Sequence, residues 1–296
     1  MTAVSDLEAF VRPRSIAVVG ASERTDAWGN WLFRKLLDEG FPGRLYPINR
    51  QAKTILGQAA YAQVSAVPGP VDLAIIAIPA PYIFETIRDC AVKGVKAGLI
   101  ITAGFSEARQ DGRAQEQEMV AYARAHGMRL VGPNVSGIIN LHAHLLAHPA
   151  ERAYLYKTPI TFICQGAYAI TDLAAREVSA RRGFGKFLHT GNEADVSVVD
   201  FLEYCEHDVE TEAVCLYIEG LRDGRRFQQW LKSGLRLAMK AEKASRAAGS
   251  PSMRANTSPS SARRRRTASA SSSLRRRLVA SSEPSGFSAS RRACAC

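Results

Sequence analysis

Ser15-Ile16-Ala17-Val18-Val19-Gly20 is the stretch that decides the fold. A short β-branched run that ends in glycine has the form of a strand buried on both faces in a parallel sheet. The polar loop Ala21 to Gly29 follows, and Trp31 to Leu37 then places apolar residues at helical spacing up to Gly40. Arg44 to Asn49 reads as a second strand, and Val71 to Ile78, closed by Pro79 and Pro81, as a third. A helix over Tyr82 to Lys93, a strand over Ala97 to Thr102, a helix over Ala114 to His126 and a strand over Met128 to Val131 complete the series. Strands alternating with amphipathic helices predict a doubly wound, Rossmann-like α/β domain over residues 10–145. Its ligand is expected at the carboxyl ends of the strands, where the loops at Gly20, Pro79 and Thr102 converge.

A second α/β set follows the less regular stretch Leu141 to Thr158. Strands over Ile160 to Cys164, Lys186 to His189 and Ala213 to Ile218 alternate with helices over Ala169 to Arg181, Val196 to Cys205 and Arg225 to Lys240. Three such units fall short of the roughly five strands of a flavodoxin-like sheet, so residues 155–241 read as an incomplete domain of that type. Composition breaks at Ser245: the final 52 residues hold 15 Ser, 11 Arg and 10 Ala but no Lys, Asp, Ile, Tyr or Trp. No apolar face recurs there, and a disordered basic tail is expected over 245–296. GC-rich coding sequence read out of frame has this composition.

The formal net charge of +11 sits in that tail. From Ala241 onward there are 12 Lys+Arg against 2 Asp+Glu, out of 39 and 28 in the chain of 296 residues, so the first 240 are nearly neutral. Nucleic-acid binding through Arg263 to Arg266 and Arg275 to Arg277 is poorly supported, because only Phe287 interleaves the clusters to stack on bases. No apolar run reaches the roughly 18 residues of a membrane span. The start, with Asp6 and Glu8, lacks a basic region followed by an apolar stretch, which predicts a cytoplasmic protein without membrane attachment. Cys90, Cys164, Cys205 and Cys215 each sit in or beside a hydrophobic segment and are expected as reduced, apolar core residues. No metal site is expected: His142, His144 and His148 lack a nearby carboxylate or cysteine to complete one, and read as a histidine-rich surface loop.

The loops, taken in order, resemble those of the NDP-forming acyl-CoA ligases, in the part equivalent to the α subunit of succinyl-CoA synthetase. The likeness rests on Pro13 to Ser22, Phe41 to Asn49, Ile78 to Pro81, Ile101 to Phe105, Gly132-Pro133-Asn134, Gly185-Lys186, Gly191 to Asp195 and Tyr217 to Phe227, across about residues 10–240. The resemblance implies that the first domain binds coenzyme A and that the family makes acyl-CoA, NDP and phosphate from acid, CoA and ATP or GTP. It also implies a phosphohistidine, and an ATP-grasp β-type subunit or domain that carries the ATP/ADP or GTP/GDP site. By the same analogy the CoA contacts fall on Gly20, Ala21, Ser22, Glu23, Arg24, Asn49, Arg50, Ile78, Pro79, Ala80, Pro81, Thr102, Ala103, Gly104 and Asn134. The chemistry agrees: Gly20 permits a tight turn, a helix N-terminus offers N–H groups to phosphate, and Arg24 and Arg50 supply charge. Ile78 and Pro79 form an apolar wall for adenine. A nicotinamide-dinucleotide site fits less well, since the loop after Gly20 lacks GxGxxG and Asn49, not an acid, ends the second strand.

The sequence departs from the family where catalysis is concerned. The family histidine lies in a later segment, and none of His126, His142, His144, His148, His189 or His207 matches it. The Ser-Gln-Ser-Gly-Ala run of many relatives stands here as Cys164-Gln165-Gly166-Ala167, which removes two hydroxyl donors. Glu219 matches the glutamate that orients the phosphohistidine through its other ring N–H, and here it has nothing to orient. The expectation is therefore a CoA-binding chain impaired in catalysis, with a non-catalytic CoA-sensing or partner-binding module as the alternative.

Overall fold

The computed structural model describes residues 6–150, 157–166 and 183–233. The helix predicted over Ala169 to Arg181, the end of the helix beyond Ser233 and the basic tail all lie outside these residues.

The first sheet has five parallel strands in the order β2-β1-β5-β6-β7: β1 (Ser15–Val19), β2 (Arg44–Ile48), β5 (Leu73–Ile76), β6 (Ala97–Ile100) and β7 (Arg129–Val131). Every residue of β1, β5 and β6 is buried, as continuous apolar strands flanked by helices must be. Helix α2 (Trp28–Asp38) covers one face, and α3 (Ile83–Lys93) and α4 (Gly112–Ala125) lie on the other. Sequence reading missed the short α1 (Glu8–Val11) and the small hairpin of β3 (Thr54–Ile55) and β4 (Gln58–Ala59), elements too brief to show a periodicity.

The second sheet runs β12-β10-β11-β8-β9 among the described residues. Its parallel strands β10 (Ile160–Cys164), β11 (Lys186–His189) and β12 (Ala213–Tyr217) match the expected ones. The hairpin β8 (Ile138–Asn140) and β9 (Leu145–Ala147) pairs antiparallel to β11, although it lies in a stretch read as the end of the first domain and an irregular link. Three-residue strands give no alternation to detect, and only pairing with β11 defines them. Helix α5 (Val198–His207) starts at a capping box in which Ser197 and Asp200 satisfy each other's backbone N–H. Helix α6 (Gly224–Ser233) ends the described chain.

One apolar cluster runs through both sheets, joining Val18, Leu32 and Phe33 to Ile138 and Leu145 of the hairpin and to Ile163, Leu188 and Phe201. Polar contacts reinforce that junction. Residues 192–196 lie along the end of β7: Asn192, Ala194 and Val196 donate backbone N–H bonds of 3.0 Å to Pro133, Gly132 and Leu130. Asp195, its carboxylate fully buried, accepts from the Leu130 N–H at 2.8 Å and from Arg129 at 3.0 Å, and it also pairs with Arg124. The Gly191-to-Asp195 motif thus clamps the second domain to the first. Asp195→Ala leaves these donors without an acceptor and is expected to lower stability by about 3–5 kcal/mol, read from the urea midpoint. Asp195→Asn, which keeps an acceptor for Leu130, is expected to cost clearly less.

Two sequence expectations change here. His148 is 1% exposed and donates to Ser136, so it belongs to the core and not to a surface loop. His142, His144 and His148 face different neighbours: Glu210, Glu39 and Ser136. Cys90, Cys164 and Cys205 are buried as expected, whereas Cys215 is exposed on β12, an edge strand among the described residues.

Candidate functional site

The ends of β1, β2 and β5 meet where the chain order of the first sheet reverses, the position at which an open α/β sheet leaves a crevice. A cavity of about 580 Å³ occupies this point. Its floor is apolar, from Val19, Ile48, Val64, Ile78 and Pro79, and its rim carries Asn49, Arg50, Gln63, Tyr82, Glu85 and Asp89. Gly20, also in the lining, has φ +91° and packs so closely that a Cβ would lie 2.3 Å from the Ala77 carbonyl oxygen. Gly29, in the first turn of α2, is closer still: its Cβ would lie 1.9 Å from the Gly20 carbonyl oxygen. These two glycines bring the N-terminus of α2 against the end of β1, and no side chain caps that terminus.

Of the residues singled out from sequence, Gly20, Asn49, Arg50, Ile78 and Pro79 line the cavity. The others support it or lie beside it. Asn49 Nδ2 donates to the Ala21 carbonyl at 2.8 Å, which ties the second loop to the first. Ser22 Oγ accepts from the Arg24 N–H at 3.1 Å, and Glu23 accepts from the Leu56 N–H at 2.6 Å. Arg24 is engaged by Asp26 at 2.8 Å, an exposed pair at the loop tip. Ala80 and Pro81 form a 3₁₀ turn with Tyr82, leading into α3. Thr102 Oγ1 donates to the Ile78 carbonyl at 2.6 Å.

Beyond Thr102 and Ala103 the chain meets residues of the second domain. Gly104 N–H and Asn192 both donate to Glu107, and Asn134 donates to Asn192 at 3.3 Å. Burial raises the Glu107 pKa, but the hydrogen bonds from Gly104 and Asn192 outweigh it and hold the carboxyl below its ordinary range. Thr102, Ala103, Gly104 and Asn134 therefore lie toward the contact with the second domain and are not part of the cavity. Sequence reading missed Gln63, Tyr82, Glu85, Thr86 and Asp89. The last four recur at 82, 85, 86 and 89, the helical spacing of one side of α3 and its entry, a pattern that any solvated helix face also shows.

The second constellation lies at the end of β12. The Gln165 side chain accepts from the backbone N–H groups of Glu219 and Gly220, at 2.5 and 2.9 Å, and donates to the Gly220 carbonyl at 2.7 Å. Gly166 lies so close that a Cβ would stand 2.7 Å from the Glu219 carboxylate. The Gln165-Gly166 turn and Glu219 are thus assembled at one place. His189 reaches the same turn, but both its nitrogens are engaged: Nδ1 accepts from the Ser136 N–H at 2.7 Å and Nε2 donates to the Gln165 carbonyl at 2.6 Å. Neither nitrogen has an N–H to offer Glu219.

The residues over 14–140 match the family described as the CoA binding domain, and residues 157–272 match the succinyl-CoA ligase like flavodoxin domain. The chain is an α-subunit-like member of the NDP-forming acyl-CoA ligase family. The second match extends past the compositional break at Ser245. Among its relatives, the α subunit of ADP-forming acetate–CoA ligase II of Pyrococcus furiosus is 40% identical over 251 residues, 82% of this chain and 54% of that protein. The α subunit of acetate–CoA ligase I of the same organism is 34% identical over 76% of this chain and 50% of its own length. The solved structure of the dinucleotide-forming acetyl-coenzyme A synthetase 1 of Ca. Korarchaeum cryptofilum, in complex with phosphate and ADP, superimposes with a TM-score of 0.74 at 33% identity. That match covers 82% of this chain and 54% of the other. This member of the family spans about half the length of the curated α-subunit relatives it matches. Among its described residues no helix is long and apolar enough to cross a membrane, and no group of three or more His, Cys, Asp or Glu side chains is placed to hold a metal ion.

Proposed function

We propose that the chain binds coenzyme A through its first domain and does not itself complete the ligation that characterises the family. The observation that carries the reading is the cavity at the reversal of strand order. At about 580 Å³ it falls within the usual range of small-ligand sites; its floor is apolar, as a purine requires, and an uncapped helix N-terminus packs behind Gly20 at its edge, where phosphate could be met. The pantetheine arm would run past Thr102 and Gly104 toward Glu219. There the reaction needs a nucleophile. Glu219 and the Gln165-Gly166 turn are in place, but no histidine follows His207 in the sequence, and His189 has no nitrogen to spare. Without that histidine, phosphoryl transfer to ADP or GDP on an ATP-grasp β-type partner has no carrier. The cytoplasm, where the buried thiols stay reduced, is the compartment we assign.

Isothermal calorimetry tests the two halves of this reading separately. CoA is expected to bind the full chain, and acyl phosphate with ADP is expected to give no ATP, with or without an ATP-grasp partner. Binding without turnover also fits a CoA-sensing or partner-binding module, which the doubly engaged His189 favours. Turnover above background would restore the chain to the catalysts, and absence of CoA binding by a folded first domain would remove the reading altogether.

A further inference from the structure

Among the described residues β12 pairs on one side only, with β10. The N–H and C=O of a strand residue point the same way, and that direction alternates along the strand. The Tyr217 carbonyl accepts from the Gln165 N–H at 3.0 Å, and the Ala213 N–H donates to the Pro159 carbonyl at 3.2 Å, so residues 213, 215 and 217 face β10. Val214 and Leu216 therefore turn their backbone groups outward, to the open edge. The side chains divide as well. Val214 and Leu216, like Phe227 and Trp230 of α6, pack against the core, whereas Ala213, Cys215 and Tyr217 are exposed. The run from Ala213 to Ile218 has no charge and no proline to guard its edge. The first sheet is guarded at both edges, by Arg44 and Pro47 in β2 and by residues 192–196 along the end of β7.

We propose that this edge pairs with β12 of a second copy of the chain, antiparallel about a two-fold axis at Cys215, so that the second sheets of two copies run into one another. The pairing is independent of what the first domain binds. In that register the strand is its own complement. Val214 of one copy stands opposite Leu216 of the other, and these outward-facing residues exchange both N–H···O bonds. Ala213 meets Tyr217, small against large on the exposed face, and the two Cys215 side chains meet at the axis. Glu212 stands opposite Ile218 and Glu219 opposite Thr211, so no like charges are set directly across. The rest of the chain offers a poorer occupant: residues 169–181 and 225–240 carry helical spacing, and the 52 residues from Ser245 hold no Ile, Tyr or Trp. A two-fold contact closes at two copies, so the unguarded edge gives a dimer and not an open assembly.

Light scattering on the full chain tests the pairing, and twice the mass of one chain is expected at micromolar concentration. Cys215→Lys is expected to raise the dissociation constant about tenfold, because two ammonium groups then face each other at the axis. Val92→Lys, a like change at an exposed residue of α3, is expected to leave it unaltered. Cys215 is exposed, so its substitution does not threaten the fold. Residues facing each other in a pair without hydrogen bonds have Cα atoms about 4.5 Å apart, within disulfide range. With the tail thiols removed by Cys294→Ser and Cys296→Ser, diamide is expected to join two chains through Cys215. Each thiol gives up one electron and one proton, and diamide is reduced to its hydrazine. Cys215→Ser is expected to abolish that bond and keep the dimer. A monomer at every concentration reached, a dimer indifferent to Cys215→Lys, or a dimer that diamide leaves unlinked overturns the pairing. A monomer whose Cys215 resists a thiol reagent has the edge covered by its own chain, which overturns it too.

Discussion

Gly29→Ala is expected to weaken CoA binding by about a hundredfold while leaving a folded protein. The added Cβ would sit 1.9 Å from the Gly20 carbonyl oxygen and 2.4 Å from its carbon, both backbone atoms that have no rotamer to change. The contact is relieved only if α2 withdraws from the end of β1 by about an ångström, and a misplacement of that size in a binding constellation costs on the order of 10²-fold. Strain of this kind typically costs about 1–3 kcal/mol in stability, within what a domain of this size can absorb. Gly40→Ala is the control. Gly40 also has positive φ, +67°, but nothing lies within 4 Å of its Cβ, so that variant should lose some stability and keep its affinity. Calorimetric affinities and thermal midpoints of both variants check the claim, and equal affinities in the two would refute it.

The second large effect is acid sensitivity. His148 and His189 sit on either side of Ser136, at 1% and 2% exposure. Hydrogen bonds fix both as neutral rings: Nδ1 of His148 accepts from the Ala150 N–H at 2.9 Å, and Nδ1 of His189 accepts from the Ser136 N–H at 2.7 Å. Burial pushes His148 down to about 3, with His189 nearby adding to the shift, and pushes His189 down to about 4. Both values lie below the ordinary histidine pKa, so from about pH 6.5 downward the unfolded chain binds protons that the folded one refuses. Stability is complete above that range and falls as the pH drops toward 4. Summed over two sites the loss by pH 4 is on the order of 5 kcal/mol, comparable with the whole stability of many domains. Glu193, raised by burial, binds protons more readily when folded and offsets part of the loss. Asp208 adds a later loss. Burial opposes its ionisation, but Lys186, Thr211 and Arg12 bring it down to about 2, so its contribution disappears as the pH falls below its ordinary value toward 2. Guanidinium unfolding at intervals from pH 8 to pH 4 measures the slope. His148→Gln, which keeps a donor toward Ser136, should roughly halve it, and a flat profile would mean that these rings are not buried neutral.

Much of the first domain was legible because its strands are long, apolar and separated by well-marked helices. Ser15–Val19, Leu73–Ile76 and Ala97–Ile100 carry their own evidence, since a run of buried residues flanked by glycine and proline has few other uses. The hairpin over Ile138–Ala147 carried none: its strands are three residues long, and their place in the second sheet depends on Leu188 and Phe187 lying opposite. His148 misled for a related reason. Three histidines within seven positions suggest a surface loop, but the backbone sends His148 inward to Ser136 and leaves His144 exposed.

The candidate site divides in the same way. Gly20, Asn49, Ile78 and Pro79 were identifiable because their loops, taken in order, resemble those of the family; locally, Gly20 shows only a strand-ending turn and Pro79 only a stiffened loop. Glu85 and Asp89 belong to a helix, with Tyr82 at its entry, whose polar face looks like any solvated one until the sheet sets it against the mouth of the cavity. Arg129 was visible only as a charge and Asp195 only as the end of a motif, and the two became a clamp when the second domain was laid on β7. By itself, then, the sequence determined the strand pattern, the order of the ligand loops and the lack of a histidine beyond His207, all properties of neighbours along the chain. The tertiary structure alone decided which loops share a cavity, which carboxylate holds Arg129 and which histidines are buried neutral. Those depend on groups far apart in the chain, whose interaction exists only once packing has removed the water between them.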